Sequence, residues 1–190
     1  TLFRSAEPAA PAVLQAEIAA RGLHVAHLVN NAGYGVPGRY LSADWKTHAD
    51  FLQVLVTSVC ELSHHFLPAM EAAGHGRILN VASLAGLVPA SAGHTLYGAA
   101  KGATMAYAKS LARETAASGL TVNCIAPQVL DGGLASLMRA HVRQTLLGAT
   151  PAARACTPQD LVDAARFLAA PGAGYVTGTV VNVTGGLVTW

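Results

Sequence analysis

The sequence predicts an α/β domain built on a parallel sheet, and three observations carry that prediction. Strand-like and helix-like segments alternate along the whole chain. The strand-like segments are short apolar runs bounded by turn residues, the pattern of strands covered by helices. At 190 residues, with 52% apolar and only 12% charged side chains, the chain has the size and composition of one well-cored domain. That composition excludes a disordered chain. A formal charge of +2 with no basic block gives no electrostatic footprint for nucleic acid, so no such partner is expected. Membrane insertion is not expected either, because no run reaches the roughly 18 apolar residues of a spanning helix.

The elements follow in order. Residues 8–21 carry Val13, Leu14, Ala16 and Ile18 and stop at Gly22, as a helix with a C-terminal glycine does. Residues 25–29 form a buried strand that runs into Asn30-Asn31-Ala32-Gly33-Tyr34-Gly35. A long helical region spans 44–73, with an interruption expected near Pro68. The second strand is 76–81, with Ser83 just past its end and a loop over 84–93. Residues 96–117 place Met105, Ala108, Leu111 and Ala112 at helical spacing. A third strand, 120–125, closes at Pro127. The segment 128–157 is weakly patterned apart from an amphipathic stretch over 134–147. Pro158 opens a last helix through Leu168, and 180–183 is a fourth strand. No internal repeat or linker divides the chain.

In a parallel sheet the ligand crevice lies at the carboxyl ends of the strands, which directs attention to Ser83. Tyr97 and Lys101 are four apart on a helix and share one face. An ammonium near a phenol favours phenolate, so Lys101 is expected to lower the Tyr97 pKa toward neutrality, while Ser83 holds a carbonyl or alcohol oxygen. Singly, such a pair is also an ordinary amphipathic contact, and Asn30-Asn31 an ordinary turn signal. Cys60, Cys124 and Cys156 lie too far apart for a metal pair and are read as buried thiols of a reducing, cytoplasmic compartment. The eight histidines are scattered, and no metal site is expected; His94 stands near Tyr97.

The order NNAG after one strand, Asn80-Val81-Ala82-Ser83 after the next, Tyr97-Gly98-Ala99-Ala100-Lys101, then Asn123 and Pro127 resembles the short-chain dehydrogenase/reductase family. The resemblance runs from about Leu23 to Gly186, and the VTGTVVNVTGG ending is similar to that of 3-oxoacyl-carrier-protein reductases. It implies a Rossmann-like doubly wound sheet, with Ser83, Tyr97 and Lys101 catalytic. It also implies that Asn30, Ala32, Gly33, Tyr97, Lys101 and Pro127 contact an NAD(P) cofactor, NADP(H) being slightly favoured. The implied reaction is reversible hydride transfer between that cofactor and a small carbonyl or acyl substrate in a homodimer or homotetramer. The segment 128–157 corresponds to the family's variable substrate-binding part; its leucines and Met138 suit an apolar substrate, and Arg139, Arg143 and Arg154 an acidic carrier or phosphate, or simply a solvated helix face.

The chain departs from the family pattern at several points. The opening strand and Gly-x-x-x-Gly-x-Gly turn are lacking, so an N-terminally truncated domain is expected, and Thr1 is read as the product of processing or truncation. The 25–29 strand would then be an apolar sheet edge, which invites self-association. A catalytically silent fragment acting through such association is the alternative function. Leu55 stands where many members have an asparagine that supports a helix kink. Ser83 lies fourteen residues before Tyr97 rather than thirteen, an extra residue to be absorbed over 90–96. Gln128 replaces the glycine that usually follows the proline matching Pro127.

Overall fold

The computed structural model of the chain describes residues 6–88, 93–132, 138 and 140–189. Its helices are α1 (Ala10–Ala20), α2 (Trp45–Leu52), α3 (Ser58–Ala73), α4 (Thr95–Thr115), α5 (Ala140–Gly148) and α6 (Pro158–Ala169). Its strands are β1 (His27–Asn30), β2 (Gly76–Val81), β3 (Leu120–Pro127) and β4 (Val180–Val183). The four strands form one sheet in the order β1-β2-β3-β4, every pair parallel. Each crossover therefore carries a helix, as parallel pairing requires.

Strand alternation divides the interior into two layers. Ile78 of β2 and Val122, Cys124 and Ala126 of β3 face Leu62, Phe66 and Met70 of α3 and Met105, Ala108 and Leu111 of α4. Leu79 and Ile125, one residue out of phase, face Leu168 of α6. α6 starts with a reciprocal cap in which the Thr157 hydroxyl accepts from Asp160 N–H and the Asp160 carboxylate accepts from Thr157 N–H. Over the expected amphipathic stretch 134–147 a helix, α5, runs from Ala140 onward, but it buries no residue; 133–137 and 139 lie outside the described residues. The expected extra residue in 90–96 also falls partly outside them, at 90–92.

The long helical region is interrupted at a different place from the one expected. α3 runs through Pro68, and the break is a π-helical turn at Gln53–Thr57, which separates α2 from α3 and contains Leu55. A π turn loosens the i→i−4 ladder. The Leu55 carbonyl accepts instead from the Thr104 hydroxyl of α4 at 3.1 Å. The kink thus persists without an asparagine, because α4 supplies the polar partner and Leu55 itself is buried at 2% exposure.

β1 is a sheet edge, with Leu28 and Asn30 buried and His27 and Val29 exposed, Val29 at 54%. Beside it, on the α6 face, runs a groove of about 180 Å³ lined by His27, Val29, Leu79, Asn123, Ala165 and Leu168. The apolar edge expected from the sequence is therefore present.

Candidate active site

The carboxyl ends of β1, β2 and β3 bring the sequence-singled residues to one rim of the sheet. Ser83 follows β2 in extended backbone, and its hydroxyl accepts from Ala85 N–H at 3.2 Å, opening a 3₁₀ turn at Leu84–Gly86. α4 passes over this turn and presents Tyr97 and, one helical turn later, Lys101. Lys101 is buried at 8% exposure and donates from Nζ to the Val81 carbonyl at 2.6 Å. Its Nζ lies 5.9 Å from the centre of the Tyr97 ring.

These contacts reverse the expected titration of Tyr97. Burial raises the phenol above its ordinary value, and a hydrogen bond with the Ser83 hydroxyl draws it only part of the way back. Lys101 does not lower it, because Lys101 is itself desolvated. Its ammonium is pushed down to about 8, against a smaller raising influence from Cys124. Tyr97 is accordingly neutral at pH 7.

The NNAG segment divides its work. The Asn30 amide is buried and donates to Asn80 Oδ1 at 2.8 Å, tying the paired ends of β1 and β2 together. Its side chain is thus spent on the sheet, whereas Ala32 and Gly33 stay exposed on the rim. A Cβ at Gly33 would lie 2.9 Å from Leu55 Cδ2, so the Leu55 methyl would have to shift to admit a larger residue. Asn123, at the other junction, donates to Val176 O at 2.8 Å and accepts from Thr179 N–H at 3.1 Å, which anchors the approach to β4.

The sequence reading missed the lining beside Tyr97. A narrow cleft of about 20 Å³ is bounded by Val36, Arg39, Tyr40, His48, Phe51 and Leu96, among others. His48 stacks on Tyr40 at 5.0 Å and its Nε2 meets the Tyr40 carbonyl at 2.8 Å. The only local signal was the placement of His48 and Phe51 on one face of α2, three residues apart. His94 contacts Tyr97 edge-on at 6.2 Å. Among the described residues no group of three or more His, Cys, Asp or Glu could hold a metal, and the three cysteines are free thiols. Arg143 is paired with Asp131 at 3.0 Å and Arg154 doubly with Asp160, so both arginines are committed within the chain. Arg139 lies outside the described residues.

A nicotinamide dinucleotide fits this rim at one end. The Tyr97 phenol and the Lys101 ammonium are suited to ribose hydroxyls, and Ala32, Gly33 and Pro127 offer backbone with little side chain in the way. The phosphate end is served less well. Gly33-Tyr34-Gly35-Val36-Pro37-Gly38 has the G-x-G-x-x-G spacing, yet it opens onto a 3₁₀ turn at Tyr40–Ser42 rather than a helix. The next helix, α2, is capped by Asp44, whose carboxyl is held below its ordinary value by hydrogen bonds from Thr47. An anionic cap repels phosphate from that helix N-terminus.

A parallel α/β sheet with helices on both faces, a serine past β2 and a tyrosine and lysine on the following helix defines the class as Rossmann-like. The family described as enoyl-(acyl carrier protein) reductase matches residues 6–188, and the chain belongs to it, within the short-chain dehydrogenases/reductases. It is 35% identical over 160 residues to the 3-oxoacyl-(acyl-carrier-protein) reductase of Vibrio cholerae, covering 84% of this chain and 65% of that protein. It is 36% identical over 163 residues to nodulation protein G of a Rhizobium species, with the same coverage. The chain thus spans 65% of the length of these curated relatives. Among solved structures, a gluconate 5-dehydrogenase from Burkholderia cenocepacia in complex with NADP and tartrate superposes with a TM-score of 0.89 at 29% identity. That match covers 97% of this chain and 73% of the other. A 3-oxoacyl-(acyl-carrier protein) reductase from Brucella melitensis superposes with a TM-score of 0.89 at 26% identity, covering 98% and 70%.

Proposed function

We propose that the chain carries the proton-transfer half of an NAD(P)H-dependent carbonyl reductase, with Ser83, Tyr97 and Lys101 as its catalytic residues. The observation that supports this best is the placement of Ser83, Tyr97 and the buried Lys101 at the carboxyl rim of the sheet, Ser83 just past β2 and the other two one helical turn apart on α4. Bound reduced nicotinamide would supply the hydride to the carbonyl carbon. Ser83 donates to the carbonyl oxygen and orients it, and Tyr97 Oη gives that oxygen its proton. Lys101 is assigned to the hydroxyls of the cofactor's nicotinamide ribose. Ala32, Gly33, Tyr97, Lys101 and Pro127 are the proposed cofactor contacts; the Asn30 side chain acts through the sheet instead. NADP(H) is favoured over NAD(H) by analogy with the Burkholderia structure, which holds NADP. The proposed substrate is a small carbonyl or acyl compound. The free thiols suit a reducing, cytoplasmic setting, and among the described residues no helix is long and apolar enough to cross a membrane.

Titration of the 190-residue chain with NADPH, followed by nucleotide fluorescence, is expected to saturate with a Kd at or below about 1 mM. Absence of binding at millimolar NADPH overturns the reading for this chain. The alternative, a catalytically silent chain acting through self-association, is favoured by one observation: the exposed β1 edge and its neighbouring apolar groove. Self-association into dimers or tetramers is the expected result in sedimentation velocity; a monodisperse monomer of ordinary thermal stability counts against it.

A further inference from the structure

Gln128, which stands where the family pattern has glycine, does not crowd the rim. Its side chain leaves the end of β3 and reaches the last turn of α5. There Nε2 donates to the Thr150 hydroxyl oxygen at 2.8 Å and to the Leu146 carbonyl at 3.2 Å. The Thr150 hydroxyl lies 2.7 Å from the same carbonyl, to which it donates, and 3.1 Å from Gln128 Oε1.

This carbonyl needs such partners. The final carbonyls of a helix have no intrahelical donor. At the end of α5, Ala149 N–H closes on Thr145 O and Thr150 N–H on Leu147 O, which leaves Leu146 O between them for the two side chains. α5 has few other attachments of weight, since none of its residues is buried. A helix without a buried face draws little on hydrophobic docking. Among the described residues its other polar tie is the exposed Arg143–Asp131 pair, and exposed pairs contribute about 1 kcal/mol or less.

The two anchors are, in contrast, fixed. Gln128 continues directly from β3, and its N–H donates to Val183 O of β4 at 3.3 Å. Thr150 is buried at 5% exposure, with the Gly185 turn closed over it by Ala152 N–H donating to Gly185 O at 3.0 Å. A rigid sheet end and a rigid turn thus hold a loosely docked helix by its C-terminus.

We propose that Gln128 is a positioning residue that, with Thr150, clamps the C-terminus of α5 and sets where this helix lies relative to the end of β3. The clamp stands on the geometry alone; its consequence for substrate rests on the reductase reading. Glycine at this position has no donor to offer, so the Gln128 clamp belongs to this chain's own departure from the pattern.

Hydrogen exchange on the 190-residue chain tests the clamp without turnover. In Gln128→Gly, amides at the end of α5 and through residue 150 are expected to exchange about tenfold faster, a change that corresponds to about 1.4 kcal/mol, with β3 amides unchanged. Gln128→Glu keeps the shape but loses the donor and is expected to do the same. Thr150→Val follows it, and Thr150→Ser, which restores the hydroxyl, returns protection. Unchanged α5 exchange in Gln128→Gly overturns the clamp, and so does equal acceleration of α5 and β3, which signals global loosening. In NADPH-linked carbonyl reduction, Gln128→Gly is expected to raise KM several-fold at unchanged kcat; a fall in kcat at unchanged KM overturns the positioning role. Wild-type chain that shows no turnover at all defeats the reductase reading, while exchange still decides the clamp.

Discussion

Replacing Tyr97 by phenylalanine is expected to lower the rate of carbonyl-dependent NADPH oxidation by about 10²- to 10⁴-fold, the range that a positioned proton donor contributes. The substitution removes one oxygen and leaves the ring, which packs beside Phe51 at 6.3 Å between ring centres. The fold therefore has little to lose beyond the polar contact of the phenol oxygen, worth about 1 kcal/mol. NADPH affinity is expected to stay within a few-fold of the unsubstituted chain. The measurement is the initial rate of NADPH absorbance loss with a 3-oxoacyl thioester or a simple ketone, paired with a melting curve. A Tyr97→Phe chain that melts normally and still reduces the carbonyl at the original rate excludes Tyr97 as the donor. A chain that fails to melt cooperatively would assign Tyr97 to the core instead.

Lys101→Met is expected to stabilise the fold at pH 7 while it weakens cofactor binding and turnover. The folded protein holds the Lys101 proton only to about pH 8, against 10.5 for an ordinary lysine. Below pH 8 both folded and unfolded chains are protonated there, and the fold bears the full cost of a buried ammonium, on the order of 3 kcal/mol. Between pH 8 and 10.5 the unfolded chain binds more protons, so this group makes stability rise with pH. Methionine removes the charge but leaves Val81 O without its donor, a loss of about 1–2 kcal/mol. The expected net gain at pH 7 is therefore about 1–2 kcal/mol.

Cys124 contributes with the opposite sign. Burial pushes its thiol up to about 12 from 9.0, so the unfolded thiol releases its proton first and stability falls between these values. The two slopes oppose each other above pH 9. Urea midpoints at pH 7, 8.5 and 9.5, compared between the wild-type chain and Lys101→Met, isolate the lysine contribution. A difference that does not shrink as pH rises would mean that Lys101 is charged at no cost and is not desolvated.

Much of the fold was legible because it depends on neighbours in the chain. The bounds 76–81 and 180–183 of β2 and β4 agree with the apolar runs, and β3 extends its predicted 120–125 only to Pro127. α6 begins at Pro158, where proline and a capping threonine announce a helix. Tyr97 and Lys101 share a face because four residues is about one helical turn. β1 was displaced to His27–Asn30: the paired register begins at His27, and of the two residues before it Ala26 contributes only its carbonyl, which accepts from Arg77 N–H at 2.9 Å. The helix break was misplaced because Pro68 is a visible local breaker, whereas the π turn at Leu55 depends on Thr104, forty-nine residues away.

The site divides in the same manner. Residue types and spacing by themselves determined the family, the parallel sheet and the rim on which Ser83, Tyr97 and Lys101 meet. Only the tertiary structure decided that Lys101 turns toward Val81 O, that burial raises Tyr97, that Asn30 is spent on Asn80, and that Gln128 caps α5. Spacing along a chain specifies which side chains share a face. Desolvation and the choice of hydrogen-bond partner depend on groups eighteen to fifty residues distant, which come together only once the layers have packed.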